Sequence, residues 1–537
     1  MYEILSDVTK FKCLNVDIAS YILKLEDKLN RILRSVKGRI GELNYNTLFA
    51  SGSKPGCMYG LPKIHKIGNP LRPIISSIGT FNYNLAKFLV PVLKPLTFNE
   101  FNISNSSKFV KELCSLELND NIVMASFDVV SLFTNIPLKE TTDIILSNLE
   151  DNHVSGFGLE KNQLSKLLDL AACNSVFMFE DKLYNQIDGV GMGSSLGPVY
   201  ADCFMSFCEK QWLSDCPDSF KPIFYRRYVD DTFLIFNDLS HVESFHNYLN
   251  SKHPNIKFTY EIEQDRKLSF LDIEIFRQHG KFMTSVFRKS TFTGLGLNFL
   301  SYSPSLYKLN SIRTLISRAY NICSDFDLFH QDMNFLLKFF TENAYPTFLF
   351  SKILRLFMNE KFEPKPVYTT VDKDVRYIKL PFVGHSSYDV RKKLQNILKH
   401  TFPQIRFQFV FVNSFTIGSL FKERSSLPVD LSSGSVYLFS CPQCGLRYVG
   451  SCSRWLRHRI LEHRGLSIRT GFPLSKPSHS AIRDHSLAMD HPFTNQDFTI
   501  LTLTCNRLDL VISESLFIGR MKPELNENIS SFNLSIK

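Results

Sequence analysis

The sequence predicts an α+β multidomain chain, and three observations carry that reading. Short apolar runs end in aspartate, amphipathic stretches at helical spacing lie between and after them, and 537 residues are enough for three or four separate cores. NIVMASF at 121–127 is rich in strand formers and ends on Asp128, so a carboxylate sits where a buried strand meets its exit loop. About a hundred residues later, YRRYVDDTFLIF at 225–236 reads as a β-hairpin with Asp230 and Asp231 at its tip. Adjacent aspartates in a tight apolar hairpin repel each other and desolvate badly, a cost that a bound cation relieves. Three carboxylates on two strands are the minimum set for two Mg²⁺ ions, hard cations that clamp the attacking and leaving oxygens in phosphoryl transfer. A YxDD string alone is short enough to arise by chance, so its neighbours matter.

Taken in order, residues 1–54 read as a helical N-terminal segment, with YILKLEDKLNRILRSVK at helical spacing before a Ser/Gly/Pro break at 51–56. YGLPKIHKIGNPLRPIISS at 59–77 places Lys63 and Arg72 on a basic β-ribbon suited to holding a triphosphate. Phe133, five residues after Asp128, is positioned to stack under an incoming sugar, where a bulky ring would exclude a 2′-hydroxyl; by itself such a ring is more often core. DGVGMGSSLGPVYADCFM at 188–205 is a glycine-rich loop entering a helix. Gly191 and Gly193 would let backbone approach a base pair or primer where a Cβ would clash, although an ordinary strand-to-helix turn has the same composition.

SPSLYKLNSIRTLISRAYNIC at 303–323 is a basic amphipathic helix, followed by the aromatic-rich FLLKFFTENAYPTFLFSKILRLFM. This pattern suits a helical thumb that grips a duplex by its backbone, and a plain helical bundle gives the same periodicity. PKPVYTT at 364–370 punctuates the chain as a linker. DVRYIKLPF, SYDVRKKLQNILKH and IRFQFVFV then alternate strand, helix and strand within 374–424, a small α/β connector without a catalytic constellation and with a bridging or nucleic-acid-contacting role.

The C-terminal GSVYLFSCPQCGLRYVGSCSRWLRHRILEHR, 434–464, carries Tyr437 and Tyr448 on two strand-like runs, then a basic helix with Arg459 and His463. ISESLFIGRMKPELNEN at 512–528 adds Glu514 on a helical stretch and Asn526 after it. This set suffices to cut a phosphodiester. Glu514 would hold one divalent cation, Tyr437 would orient or deprotonate the attacking water, and Arg459 would stabilise charge on the phosphate. A strand tyrosine usually packs and an exposed helix arginine is usually solvated, so the combination carries the weight. Between the two strands, Cys441 and Cys444 form a CxxC suited to zinc, with His485 and His491 as partners and His479 or Cys452 as possible substitutes.

Composition agrees with a nucleic-acid enzyme. Lys plus Arg exceed Asp plus Glu, 62 against 52, a net +10 that favours a polyanionic partner. Twelve scattered cysteines without a secretory leader point to a reducing compartment, and no apolar run reaches the roughly 18 residues of a membrane span.

In this order the blocks resemble reverse transcriptase fingers and palm. SFDVVSLFTNIPL, GMGSSLGPVYADCFM, RYVDDTFLIF, LSFLDIEI and FRKSTFTG resemble the Penelope-like retroelement family, a sister group of telomerase catalytic subunits. The resemblance covers roughly residues 55–320 and resumes near the C-terminus, where the paired tyrosines resemble a GIY-YIG endonuclease. Ser435 stands before Val436 where that family often has glycine. The resemblance implies a right-hand architecture with a ferredoxin-like palm and a helical thumb. Its divisions are an N-terminal segment (1–54), fingers and palm (55–290), thumb (291–363), connector (364–430) and GIY-YIG module with a CCHH zinc site (431–537). It implies Asp128, Asp230 and Asp231 as ligands of two Mg²⁺, Lys63 and Arg72 on the nucleotide phosphates, Phe133 as sugar gate, and Lys289 reaching the primer backbone. In the nuclease it implies catalytic Tyr437, Tyr448, Arg459, His463, Glu514 (one Mg²⁺) and Asn526, with structural Zn²⁺ on Cys441, Cys444, His485 and His491. The implied partners are element RNA as template, target DNA and a DNA primer, and dNTPs, with nuclear action after cytoplasmic synthesis. Relatives begin further upstream, so the chain reads as short at its N-terminus. The rival readings are a telomere-directed or domesticated polymerase that primes on existing DNA ends, and an inactive RNA-binding scaffold.

Overall fold

The computed structural model describes every residue except 65, 67, 118–120, 152–157, 279, 364–373, 414–427, 505 and 527–537, and at 150 and 151 only the backbone. The linker expected at 364–370 lies outside the described residues. The chain forms two compact units: Met1–Phe98, Ser131–Lys210 and Arg424–Lys537 make one, Asn99–Val130 and Gln211–Glu423 the other. These units are discontinuous in sequence, because strand pairing and core packing join segments far apart in the chain.

The first unit contains a five-stranded sheet ordered Phe11–Leu14, Lys182–Gln186, Ser175–Phe179, Gly56–Pro62, Leu71–Ser76. The N-terminal segment read as helical holds the helices Tyr2–Leu5, Ile18–Ile40 and Glu42–Leu48 and also a strand, Phe11–Leu14, which pairs antiparallel with Leu183–Gln186. A four-residue strand with one buried side chain carries too little periodicity to be read locally. The helix Ile18–Ile40 starts at Asp17, whose carboxylate accepts from the Ser20 N–H at 2.8 Å, and ends at Gly41 with φ +81°. Its buried stripe of Ile22, Leu25, Leu29, Leu33 and Val36 is the center of the largest core.

Two polar residues lie on that same buried stripe. The Asn30 amide bonds both backbone groups of Ala50, at 2.9 and 2.8 Å, and the Glu26 carboxylate accepts from the Ser53 N–H at 2.7 Å. From the other side, the buried Trp455 indole donates to the Ser53 carbonyl at 2.9 Å and joins the same core. The C-terminal module is therefore built on the N-terminal helix, through a loop whose Ala50 and Ser53 backbone groups are bonded.

The basic ribbon of this unit pairs Gly56–Pro62 with Leu71–Ser76. Ile75 donates to the Met192 carbonyl at 2.7 Å, and Gly193, at φ +125°, comes so close that an added Cβ would lie 2.3 Å from the Ile75 carbonyl oxygen. Gly193 is thus required by the chain's own backbone. At Gly191 an added Cβ would meet nothing closer than 3.5 Å.

The second unit is organised by a four-stranded antiparallel sheet ordered Phe224–Tyr228, Asp231–Phe236, Val123–Val129, Phe258–Ile262. Counted along the chain this is 2-3-1-4, a ferredoxin-like order. Phe109 and Leu113 of the helix Ser106–Cys114 pack on one face with Phe233, Ile235 and Phe270, while Phe127 and Phe236 meet Phe245 on the other. A second sheet, Lys267–Phe270, Ile273–Gln278 and Lys281–Val286, follows. Helices Ser305–Ile322, Phe326–Glu342 and Thr347–Phe362 then close around Ile316, Met333, Phe340 and Phe350. Asp374–Pro381, Ser386–Thr401 and Ile405–Val412 form a βαβ element whose two strands pair in parallel. No described helix is long and apolar enough to cross a membrane.

Gly193→Ala is expected to lower unfolding free energy by more than about 1 kcal/mol, whereas Gly191→Ala stays within about 1 kcal/mol of wild type. Urea titration of both variants checks this, and equal effects would contradict the stated packing.

Candidate functional site

The Asp230–Asp231 hairpin closes with Tyr228 opposite Asp231, leaving Val229 and Asp230 as its two-residue turn. Val229 sits at φ +58°, a left-handed conformation that a β-branched residue adopts only when its surroundings impose it. Arg227 supplies part of that constraint. Its buried guanidinium donates to the Val229 carbonyl at 2.9 Å and to the Asn102 side chain at 2.8 Å. The next strand is locked alongside: Asp128 stands opposite Asp231, and the Val129 N–H donates to the Asp230 carbonyl at 3.1 Å. Backbone pairing therefore puts three half-buried carboxylates at neighbouring positions.

Burial, then the negative charges of Asp230 and Asp128, push the Asp231 carboxyl up to about 6; Glu261 adds to this and Lys289 opposes it. A cluster whose own field disfavours its ionised state fits divalent cations with oxygen preference. Lys289 is exposed, close enough to act on Asp231 electrostatically. The structure does not gather the aspartates into a set of close ligand atoms. Among the described residues, that distinction belongs to the Cys/His group below.

In the first unit, Arg72 is exposed and pairs with Leu61, while the Lys63 N–H donates to the Pro70 carbonyl at 2.9 Å just past the last strand pair. Both cations thus stand at the ribbon's end. Phe133 is half-buried against the large core, and its carbonyl accepts from the Val190 N–H at 2.7 Å, tying it to the glycine-rich loop.

The C-terminal module pairs Ser435–Ser440 with Arg447–Cys452 on one side and Phe498–Leu503 on the other. Tyr437 is fully buried and opposes Gly450, where an added Cβ would lie 2.5 Å from the Tyr437 hydroxyl and 2.7 Å from Tyr448. Arg459 and His463 lie one turn apart on the helix Leu456–His463. Arg459 Nε donates to the Tyr437 hydroxyl at 3.3 Å, and that hydroxyl bonds His463 Nε2 at 2.7 Å. His463 Nδ1 bonds Ser480 Oγ at 2.7 Å. Burial, with Arg459 and Arg483 beside it, pulls the His463 imidazole down to about 3, and burial pushes the Tyr437 phenol up. Both are therefore neutral at physiological pH.

Glu514, on the helix Arg507–Met521, accepts from Ser451 Oγ at 2.8 Å, and burial raises its carboxyl above the usual range. Asn526 bonds both the N–H and the carbonyl of Val449, at 2.9 and 2.8 Å, clipping the chain after the last helix to the second strand. The glycine-demanding position before the first tyrosine is Gly434, at φ +64° with an added Cβ 2.3 Å from the Thr504 carbonyl oxygen. Ser435 lies buried within the strand.

Cys441, Cys444, His485 and His491 bring one ligand atom each within 4.8 Å of one another. Cys441 Sγ is 3.4 Å from His491 Nδ1, and Cys444 Sγ is 3.4 Å from His485 Nε2. Burial alone would raise the Cys441 thiol, yet N–H groups of Cys444 and Gln443 donating to its sulfur carry it below its ordinary value. Two thiols and two imidazoles in that spacing fit a tetrahedral Zn²⁺. The two substitutes lie elsewhere: His479 pairs with Asp484 at 3.1 Å, and Cys452 is buried with its thiol on the Trp455 carbonyl.

Sequence reading missed Arg227, Gly434, Gly450, Ser451 and Ser480. Only Gly450 had a local signal, the YVG string itself; the others are defined by partners distant in sequence or by backbone geometry.

The family model of the animal helix-turn-helix domain matches residues 295–354, which fall on the three-helix region after the second sheet. No curated protein matches the chain. Among solved structures, telomerase from Candida albicans in complex with a fragment of telomeric RNA is similar over 57% of this chain and 59% of that one, at 14% identity and TM-score 0.40. Telomerase from Candida tropicalis, also with a telomeric RNA fragment, is similar over 59% and 56%, at 10% identity and TM-score 0.37. The BmCPV RNA-dependent RNA polymerase at elongation state is similar over 59% and 29%, at 13% identity and TM-score 0.35. The chain thus spans less than two thirds of each of these structures.

Asp231→Asn is expected to stabilise the metal-free protein at pH 7 by roughly 1–2 kcal/mol, since the charged form is the disfavoured one. The gain should begin to shrink as pH falls below about 6, where folded Asp231 takes up a proton, and disappear only near 3.8, where the unfolded carboxyl is protonated too. Thermal melts across that range decide it. His463 works the other way: the unfolded imidazole binds a proton near pH 6.5 and the folded one only near 3, so acidification between these values favours unfolding by up to roughly 1.4 kcal/mol per pH unit. His463→Gln should flatten the acid dependence of the melting temperature over pH 6.5–4.

Proposed function

We propose that the chain is an RNA-directed DNA polymerase joined to a DNA-nicking endonuclease, acting in the nucleus in target-primed reverse transcription of a Penelope-like retroelement. The observation that carries the polymerase reading is the register that sets Asp128 opposite Asp231 beside Asp230 at the hairpin tip. These aspartates would hold Mg²⁺, which when bound neutralises phosphate charge and activates the primer hydroxyl. Lys63 and Arg72 would bind triphosphate oxygens, the arginine by its planar fork and the lysine as a point charge. Phe133 would restrict the sugar, and Lys289 would hold primer backbone. The occupants are element RNA as template, a DNA primer and dNTPs.

The nuclease reading rests on the chain Arg459, Tyr437, His463, Ser480. Neutral His463 bonds Tyr437 through Nε2 and Ser480 through Nδ1, which would hold the tyrosine hydroxyl in place. Tyr437 would then orient or deprotonate the attacking water. Arg459 would stabilise negative charge on Tyr437 and on the phosphate. Glu514, oriented by Ser451, would hold a divalent cation, and Zn²⁺ on the Cys/His set would brace the first two strands.

The test incubates the full chain with supercoiled plasmid, element RNA, Mg²⁺ and labelled dNTPs. Label should join plasmid only in wild type. The Asp230→Ala/Asp231→Ala variant should keep nicking, and Glu514→Ala should lose it. Label on a supplied primer without nicking would replace the coupled reading with a polymerase that uses existing DNA ends.

A further inference from the structure

The βαβ element of the second unit has an unusual surface for a parallel pair. Parallel strands are ordinarily covered on both faces. Here the register sets Ile405, Phe407, Phe409 and Phe411 on one face and Arg406, Gln408, Val410 and Val412 on the other. The helix Ser386–Thr401 packs on the aromatic face: the Tyr388 ring stands 5.1 Å from that of Phe411, and Ser387 bonds the Pro381 carbonyl. The Tyr307 hydroxyl donates to the Phe411 carbonyl at 2.8 Å, tying the element to the helix Ser305–Ile322. The opposite face is left open, with Tyr377 67% exposed.

At the free edge of strand Ile405–Val412 lies a notch of about 240 Å³, lined by Arg391, Gln395, Arg406, Phe407, Gln408 and Phe409. No acid lines it. Neither guanidinium forms an ion pair among the described residues, and Arg391 Nε is buried without a hydrogen-bond partner. Arg391 is held over the Tyr388 and Phe411 rings, 5.8 Å from each centroid, which fixes its plane while leaving its donors unspent. Two guanidiniums, two amides and two phenyl rings match a phosphate with its sugar and base edge. The notch is smaller than the roughly 300–1,000 Å³ of a self-contained small-molecule site, which suits one unit of a polymer that continues across the open face. The surrounding charge agrees: residues 374–412 hold seven Lys and Arg against two Asp, +5 of the chain's +10.

We propose that this edge notch and the adjoining open face bind the phosphodiester backbone of a single-stranded nucleic acid, with Arg391 and Arg406 as the phosphate ligands. The residues lining it include none of the aspartate hairpin or of the Tyr437 set, and its test does not depend on either activity.

The test measures fluorescence anisotropy of the full chain with a 5′-labelled 12-nucleotide strand, made as RNA and as DNA of the same sequence, over a salt series. Arg406→Glu and Arg391→Ala/Arg406→Ala should each weaken binding about tenfold or more. The double variant should also lower the salt slope by roughly 1.4, two phosphates at about 0.7 each. A loss confined to RNA assigns the template strand, and a loss confined to DNA assigns a primer or displaced strand. Arg391 has ring contacts and its loss could disturb folding; Arg406 has none and is exposed, so Arg406→Glu with an unchanged melting temperature is the deciding variant. Wild-type affinity and slope in that variant overturn the proposal, and the open edge would then be left to strand addition by a protein.

Discussion

Placing Asp128, Asp230 and Asp231 side by side requires a scaffold that outweighs their repulsion. The four-stranded sheet of the second unit supplies it from its interior. Phe233, Leu234, Ile235 and Phe236 lead away from Asp231 as an unbroken buried run, covered on one face by Phe109 and Leu113 and on the other by Phe127 and Phe245. Apolar burial of this kind contributes roughly 25 cal/mol per Å², so a few such side chains offset the electrostatic cost at the strand ends. Arg227 completes the scaffold by fixing a turn that Val229 would otherwise avoid. The strain is concentrated where carboxylates must stay presented rather than collapse inward.

The C-terminal module solves the opposite problem. Its polar groups are buried, and it avoids charge on two of them: Tyr437 and His463 are both held neutral, linked to each other and, through His463, to Ser480. The one permanent charge among them, Arg459, is met by Glu462 at 3.1 Å. The helix bearing Arg459 and His463 begins at Trp455, and Trp455 is seated in the core formed by Ile18–Ile40. The position of Arg459 and His463 therefore depends on packing made by the first fifty or so residues of the chain.

Local chemistry made several elements legible. The Asp128 strand and the Asp230–Asp231 hairpin were readable because strand formers bound a two-residue turn. The connector's strand, helix and strand were readable from one switch of hydrophobic period to the next. The Cys/His set was readable from spacing, although only the fold selects His485 and His491 over His479 and Cys452. The strand Phe11–Leu14 was not readable, since it exists only because a distant edge accepts it.

The sequence by itself determined the chemistry available: three aspartates on two strands, two tyrosines with an arginine and a histidine on one helix, and four zinc-type ligands. These follow from residue type and short-range periodicity, which act within a few residues. Tertiary structure decided which of them meet. It set Asp128 against Asp231 by register, gave Asn526 to the Val449 backbone, and assigned Gly193 to the chain's own Ile75 carbonyl. It also divided the chain into units that ignore sequence order. Register and core packing are long-range, with each contact fixed by a partner elsewhere in the chain, and no local pattern encodes the identity of that partner.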